Sequence, residues 1–330
     1  MPAIRAAVHR QMMNWREANH IALCPRRQIM VEAVQVFWAP AGASMPSLGS
    51  RALVDVTDGD TPNLRMPVRM LSVDTPEVTA KTLERAAVID AEFSQLAQWI
   101  RDGKAPIDPG LAQFVLPKLE TGRAGSLHFE QGQAASAFGK QNIADRLARP
   151  SGQPRGMFIR VADSPFDSNH RLLAYVAPNY TATELREIPK AQRPTFNLDL
   201  VTHGWAAPFV IYPSIPGAED LALLTGAAVA ARAAGSGIWA SPDTLLAYEY
   251  RAMEKLYDIT ATIVNGGQLK VDPRSWRERY CADMRTRVLH GPEGYFVVEP
   301  EYRLWIWQQD LNEAVSRLNL TPAPALVGAG

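Results

Sequence analysis

Val68-Arg69-Met70-Leu71-Ser72-Val73-Asp74-Thr75-Pro76-Glu77 is the stretch on which the fold turns. Its apolar and branched residues predict a strand over 66–73, and Pro76 ends it. Upstream, residues 51–57 alternate apolar and polar as a strand does, and Asp58-Gly59 is a turn signal. A further strand is predicted at 32–38, followed by a Pro/Gly/Ser break at 40–50. Downstream, 156–162 and 171–177 read as two strands flanking a turn at Asp167–Asn169.

Helices fill much of the rest. Ile89, Phe93, Leu96 and Ile100 recur at helical spacing and predict a helix over 82–101. Others are predicted at about 131–148 and at 219–234, the second stopped by Gly235-Ser236-Gly237. Ser241-Pro242-Asp243 reads as a helix N-terminus. Leu304, Trp307, Leu311, Val315 and Leu318 align on one face and predict an amphipathic helix over 301–319. Residues 287–298 predict a hairpin around Gly291–Gly294, and the tail from Thr321 is expected to fray.

Composition narrows the function classes. At 47% hydrophobic and 21% charged over 330 residues, the chain predicts a packed core rather than disorder. Its formal net charge is +0, so nucleic acid could be bound only through a local patch. Lys81, Lys104, Lys118, Lys140, Lys190, Lys255 and Lys270 are the only lysines among 34 basic residues, and arginine suits bidentate phosphate contacts better. Cys24 and Cys281 make neither a disulfide framework nor a zinc spacing, so a reducing compartment is expected. Residues 1–30 hold Arg5, Arg10, Arg16, Arg26 and Arg27 but no apolar core of a signal peptide, which predicts a cytoplasmic protein. No membrane span is predicted.

Charged residues concentrate in two places: Asp58-Gly59-Asp60-Thr61 with the Arg69–Glu77 run, and Asp167-Ser168-Asn169-His170-Arg171. Three acids and two arginines are what metal-assisted phosphodiester hydrolysis needs: carboxylates for a cation, one to orient water, guanidiniums to neutralise phosphate. Asp-Gly-Asp by itself is an ordinary turn, and an EF-hand is excluded because its glycine and terminal glutamate are missing. His170 and His203 read as structural or surface groups.

In this order the motifs resemble the staphylococcal nuclease (thermonuclease) family. Asp-Gly-Asp-Thr, Val-Arg-x-Leu-x-Val-Asp-Thr-Pro-Glu and Arg-x-Leu-Ala-Tyr carry the likeness. Gly132–Phe138, Asn197–Ala206 and Gly237-Ile238-Trp239 extend it to about residues 50–240. The resemblance implies an α+β protein, mainly β at its core: a five-stranded OB-fold barrel with packed helices. It implies Ca2+ held by Asp60, Asp74 and the Thr75 carbonyl. Glu77 would activate water, and Arg69 and Arg171 would bind the phosphate. Tyr212 and Asn169 would touch substrate. The implied activity is low-specificity endonuclease cleavage of DNA and/or RNA to 3′-phosphate and 5′-hydroxyl ends.

The chain departs from that pattern at several points. The segment from Thr61 to Arg69 is short, and a helical insertion occupies about 79–128. Asn169 and its neighbours replace a Lys-Tyr pair, and Val210 replaces one pocket tyrosine. The expected organisation is an N-terminal segment 1–31, a nuclease-like domain 32–240, and a mostly helical α+β extension 241–330 that offers a surface for a protein partner. The alternative is a catalytically silent or partner-gated module that binds nucleic acid or protein.

Overall fold

The computed structural model describes residues 48–149 and 152–324. The strand expected at 32–38, the segment 1–31 and Cys24 lie outside them. The chain divides into two units, Met1–Arg51 and Ala52–Gly330. The described part of the first, residues 48–51, has no helix or strand.

The second unit is mixed α+β with open sheets, and no closed barrel forms among the described residues. Strands β1 (Ala52–Val56) and β2 (Pro62–Arg65) make an antiparallel hairpin across the Asp58–Asp60 turn. The decisive stretch splits into β3 (Val68–Met70) and β4 (Ser72–Asp74). Ser72, the first residue of β4, takes a left-handed backbone, φ +60°, and redirects the chain. β3 pairs in parallel with β6 (Leu172–Pro178), which pairs antiparallel with β5 (Met157–Phe166). β4 instead pairs antiparallel with β7 (Ala207–Ile211) in another sheet.

This corner is tied down by polar groups, because a chain that changes sheets leaves backbone groups without ladder partners. Leu71 N donates to Ala174 O at 3.0 Å. Asn197 then bridges the gap: its Nδ2 donates to Leu71 O at 2.9 Å, and its Oδ1 accepts from Val176 N at 3.0 Å. The hydroxyls of Ser72 and Tyr175 lie 2.5 Å apart.

The insertion supplies α1 (Leu83–Arg101), α2 (Pro109–Leu119) and the start of α3 (Ala124–Leu147). α3 therefore begins seven residues before the expected helix. Thr82 caps α1 through Arg85 N, and the predicted stripe Ile89, Phe93, Leu96, Ile100 is buried. Each such side chain contributes about 1.5–3 kcal/mol by leaving water. Asp90 on α1 accepts from Gly125 N and Ser126 N at 2.7 and 2.9 Å, satisfying the open N-terminus of α3.

Beyond β6 come α4 (Ala182–Glu187), α5 (Phe196–Thr202), β7 and α6 (Ala218–Ala233). The stretch Ala218–Ala240 has the length and apolar composition of a membrane-crossing helix. Its α-helix ends at Ala233, a 3-10 turn follows at Gly237–Ala240, Leu224 and Ala228 pack in a core, and Ala231 is buried.

The last ninety residues correct three expectations. Ser241-Pro242-Asp243 forms a turn, and the helix α7 (Ala247–Val264) starts only at Ala247, where Glu249 reaches back to Leu246 N at 3.1 Å. The hairpin expected at 287–298 is absent: β9 (Val288–His290) pairs with β8 (Arg279–Asp283), and a 3-10 turn occupies Tyr295–Val297. Residues Arg303–Trp307 are strand β10, and only Leu311–Leu318 is the helix α8. Leu304-Trp305-Ile306-Trp307 is a continuous apolar run, which a buried strand and a buried helix share; the sheet interior decided it.

β10 lies between β8 and β7, parallel to the latter, in a six-stranded sheet ordered β11–β9–β8–β10–β7–β4, with β11 at Thr321–Pro322. The extension is thus continuous with β4 through one sheet. A buried network joins it to the insertion: Glu249 lies 2.9 Å from Lys118 Nζ and 3.3 Å from Arg303 Nη1.

Candidate active site

A cleft of about 1100 Å³ opens beside the β3–β4 corner. Arg69, Glu77 and Arg171 line it, joined by Arg251, Glu254 and Lys255 from α7. Three segments far apart in the chain therefore converge on one space.

Asp74 sits beneath the wall with its side chain wholly buried. A buried carboxylate needs charge partners and hydrogen bonds. Arg69 Nη2 lies 2.7 Å from Oδ1; Arg251 Nη2 lies 2.6 Å from Oδ2 and Nη1 3.3 Å from Oδ1. The same Arg251 Nη1 lies 2.5 Å from Glu77 Oε1. Burial penalises the Arg251 charge, but Asp74 and Glu77 outweigh it and raise its pKa.

The backbone of Glu77 is held from the other side. Its N–H donates to His128 Nε2 at 2.8 Å, so that nitrogen is the acceptor, and Nδ1 faces Leu245 O at 3.3 Å. His128 is buried and stacks on Tyr250 at 3.8 Å; burial drives its pKa down to about 3, and it stays neutral. Gly132 lets α3 approach closely: a Cβ there would stand 2.8 Å from Glu77 O and 3.0 Å from Pro76 O.

Arg171 is oriented by its own turn. Asp167 accepts from Arg171 Nε at 2.8 Å and from its N–H at 2.9 Å, and also from Asn169 N at 3.0 Å. Deeper in the cleft, Arg279 lies over the Trp307 ring at 4.1 Å and pairs with Glu278 at 2.9 Å. Burial lowers its pKa, and Arg251 and Arg69 add repulsion. Glu254 is pushed up to about 7, first by burial and then by Glu77 and Asp258.

The predicted residues divide accordingly. Arg69, Glu77, Arg171, Asn169 and Tyr212 all line the cleft. Asp74 lies directly behind Arg69. Asp60 does not line the cleft: it is exposed at the β1–β2 turn, where it accepts from the Thr61 hydroxyl at 3.1 Å. Thr75 is half-buried and also does not line it.

This donor set does not fit calcium, which takes six or more oxygens from several ligands. Both oxygens of Asp74 and one of Glu77 are bonded to guanidinium nitrogens, and Asp60 stands apart. Among the described residues no three His, Cys, Asp or Glu side chains are grouped to hold a metal ion.

The sequence reading missed Arg251, Glu254, His128 and Gly132. Arg251 and Glu254 belong to a charged stripe of α7 that is indistinguishable, locally, from a solvent face. His128 carried a weak signal, a polar group set between the apolar Leu127 and Phe129. No protein family model and no curated protein matches the chain.

Proposed function

We propose that the protein is a low-specificity phosphodiesterase acting on DNA and/or RNA, similar in chemistry to the thermonuclease family. The observation that carries this reading is the convergence of Arg69, Glu77 and Arg171 on one open cleft. In it, Glu77 takes a proton from water as the water oxygen attacks phosphorus. Arg69 and Arg171 stabilise the charge that develops on the phosphate oxygens. The 5′-oxygen leaves and takes a proton, for which Glu254 is the group in the same cleft with a pKa near neutrality. The products are a 3′-phosphate and a 5′-hydroxyl.

The five-stranded OB barrel belongs to this proposal. β1, β2, β3, β5 and β6 are its candidate strands. Leu53, Val54 and Val56 on β1 and Phe158, Ile159 and Val161 on β5 are exposed apolar groups that closure would bury. A cytoplasmic setting, and a protein partner bound through the extension, complete the proposal.

The test is cleavage of single-stranded DNA, duplex DNA and RNA, each with Ca2+, Mg2+ or EDTA. Glu77→Gln and Arg69→Ala are expected to lower the rate by about 10²–10³-fold. An uncut substrate under every condition would sink the hydrolytic reading. One observation favours a second reading, a partner-gated or silent binding module: Glu77, the water-activating group, is engaged by Arg251.

A further inference from the structure

We infer that Arg251 supplies the positive charge that a divalent cation would otherwise give this cleft, and that Arg251 and Arg69 bind a phosphate or phosphodiester oxyanion without a metal ion. The inference rests on the phosphodiesterase reading for the identity of the anion, and on the geometry alone for the site.

Charge balance is the first argument. Asp74 and Glu77 are matched by Arg69 and Arg251, which contact them at 2.5–2.7 Å. A divalent cation added to this set would raise the local charge to +2, with Arg279 close enough to add repulsion. A phosphate oxyanion added to the same neutral set meets Arg279 as an attractive charge instead.

Geometry is the second. Two nitrogens of Arg251 span Asp74 and Glu77, so a cation reaching those oxygens must first break charge-assisted hydrogen bonds. The Arg69 and Arg251 side chains keep 29% and 30% of their surface exposed, and both line the cleft. A guanidinium has five N–H donors, so donors remain for a second anion after the carboxylates are served. Arg251 comes from α7, so the extension builds the site rather than merely covering it.

The test uses the full chain and two probes, inorganic phosphate and calcium alone. In excess EDTA, phosphate is expected to raise the wild-type melting temperature by about 2 °C or more. Arg251→Gln is expected to weaken phosphate binding at least tenfold. Calorimetry should find calcium alone no tighter than about 10⁻³ M on wild type, and tighter on Arg251→Gln.

Calcium that binds wild type tighter than about 10⁻⁴ M, with phosphate binding only after it, would overturn the inference. Should Arg251→Gln fail to fold, Arg251→Lys keeps the charge without the two-nitrogen fork. It should weaken phosphate binding, and unchanged binding would count against Arg251. Phosphate bound in EDTA by a protein that cuts no nucleic acid supports the anion site while removing the hydrolytic reading. Cutting that depends on calcium, together with tight calcium binding, does the reverse.

Discussion

Arg251 reaches across 177 positions of the chain to bond Asp74, its Nη2 2.6 Å from Oδ2. Asp74 is buried at the end of β4, so this contact decides whether a buried charge is compensated. Arg251→Ala removes one of two guanidiniums, and Arg69 remains. The expected loss of stability is about 1–3 kcal/mol, below the value for a fully orphaned buried ion. Asp74→Asn in the same chain should restore part of it. A double-mutant cycle by urea unfolding measures the coupling, expected at 1 kcal/mol or more. Additive effects would mean that the two groups do not depend on each other.

Gly132 makes a second, steric prediction. Gly132→Ala places a methyl 2.8 Å from Glu77 O, a distance at which backbone must move. Alanine favours a helix by about 1 kcal/mol over glycine, but here overpacking of about 1–3 kcal/mol opposes it. The variant is expected to be no more stable than wild type and to lose activity by displacing Glu77. A more stable variant with normal activity would show that α3 does not press on this loop.

What was legible in the sequence was local. The α1 stripe repeats at 3.6 residues and is buried as read. Arg69, Glu77 and Arg171 sat in short motifs with fixed turns beside them. β10 is not separable from a helix in the sequence because Leu304–Trp307 is apolar without a break, and periodicity cannot tell the two apart there. Arg251 and Gly132 were invisible, and His128 nearly so, for another reason. Each acts through a contact with the Asp74–Glu77 segment from a distant helix, and each is an ordinary residue on its own helix. The donor set of Asp60, Asp74 and Thr75 is what the family resemblance implies, and the motifs that carry it do not show that Arg251 takes the oxygens of Asp74.

His128 sets the acid limit of stability. Its folded-state pKa is depressed from 6.5 to about 3, by burial first. The unfolded chain therefore binds a proton that the native state refuses, and stability present above pH 6.5 is lost as pH falls toward 3. The slope is about 1.4 kcal/mol per pH unit in that window. Glutamine can accept from Glu77 N and donate to Leu245 O, so His128→Gln should fold and flatten this slope. Chemical unfolding at several pH values reads it directly. Equal slopes in both proteins would mean that His128 is protonated in the native state.

Glu254 has the opposite sign. Its folded-state pKa is raised from 4.5 to about 7, by burial and then by Glu77 and Asp258. Below pH 4.5 both states hold the proton; between 4.5 and 7 the native state keeps it while the unfolded chain releases it. Stability therefore falls as pH rises through that window, by about 1–3 kcal/mol for a group partly open to solvent. Asp258, one turn along α7, is raised too and adds in the same direction. Glu254→Gln should flatten the decline without abolishing it, because Asp258 and the buried Glu293 are also raised. The same substitution separates proton donation from structure. If Glu254 protonates the leaving 5′-oxygen, cleavage by wild type falls above pH about 7 as the acid is lost. The Gln variant should be slower below that pH and show no such fall. A wild-type profile that keeps rising through pH 7, matched by the variant, would remove Glu254 from the reaction and leave its raised pKa as a consequence of packing beside Glu77.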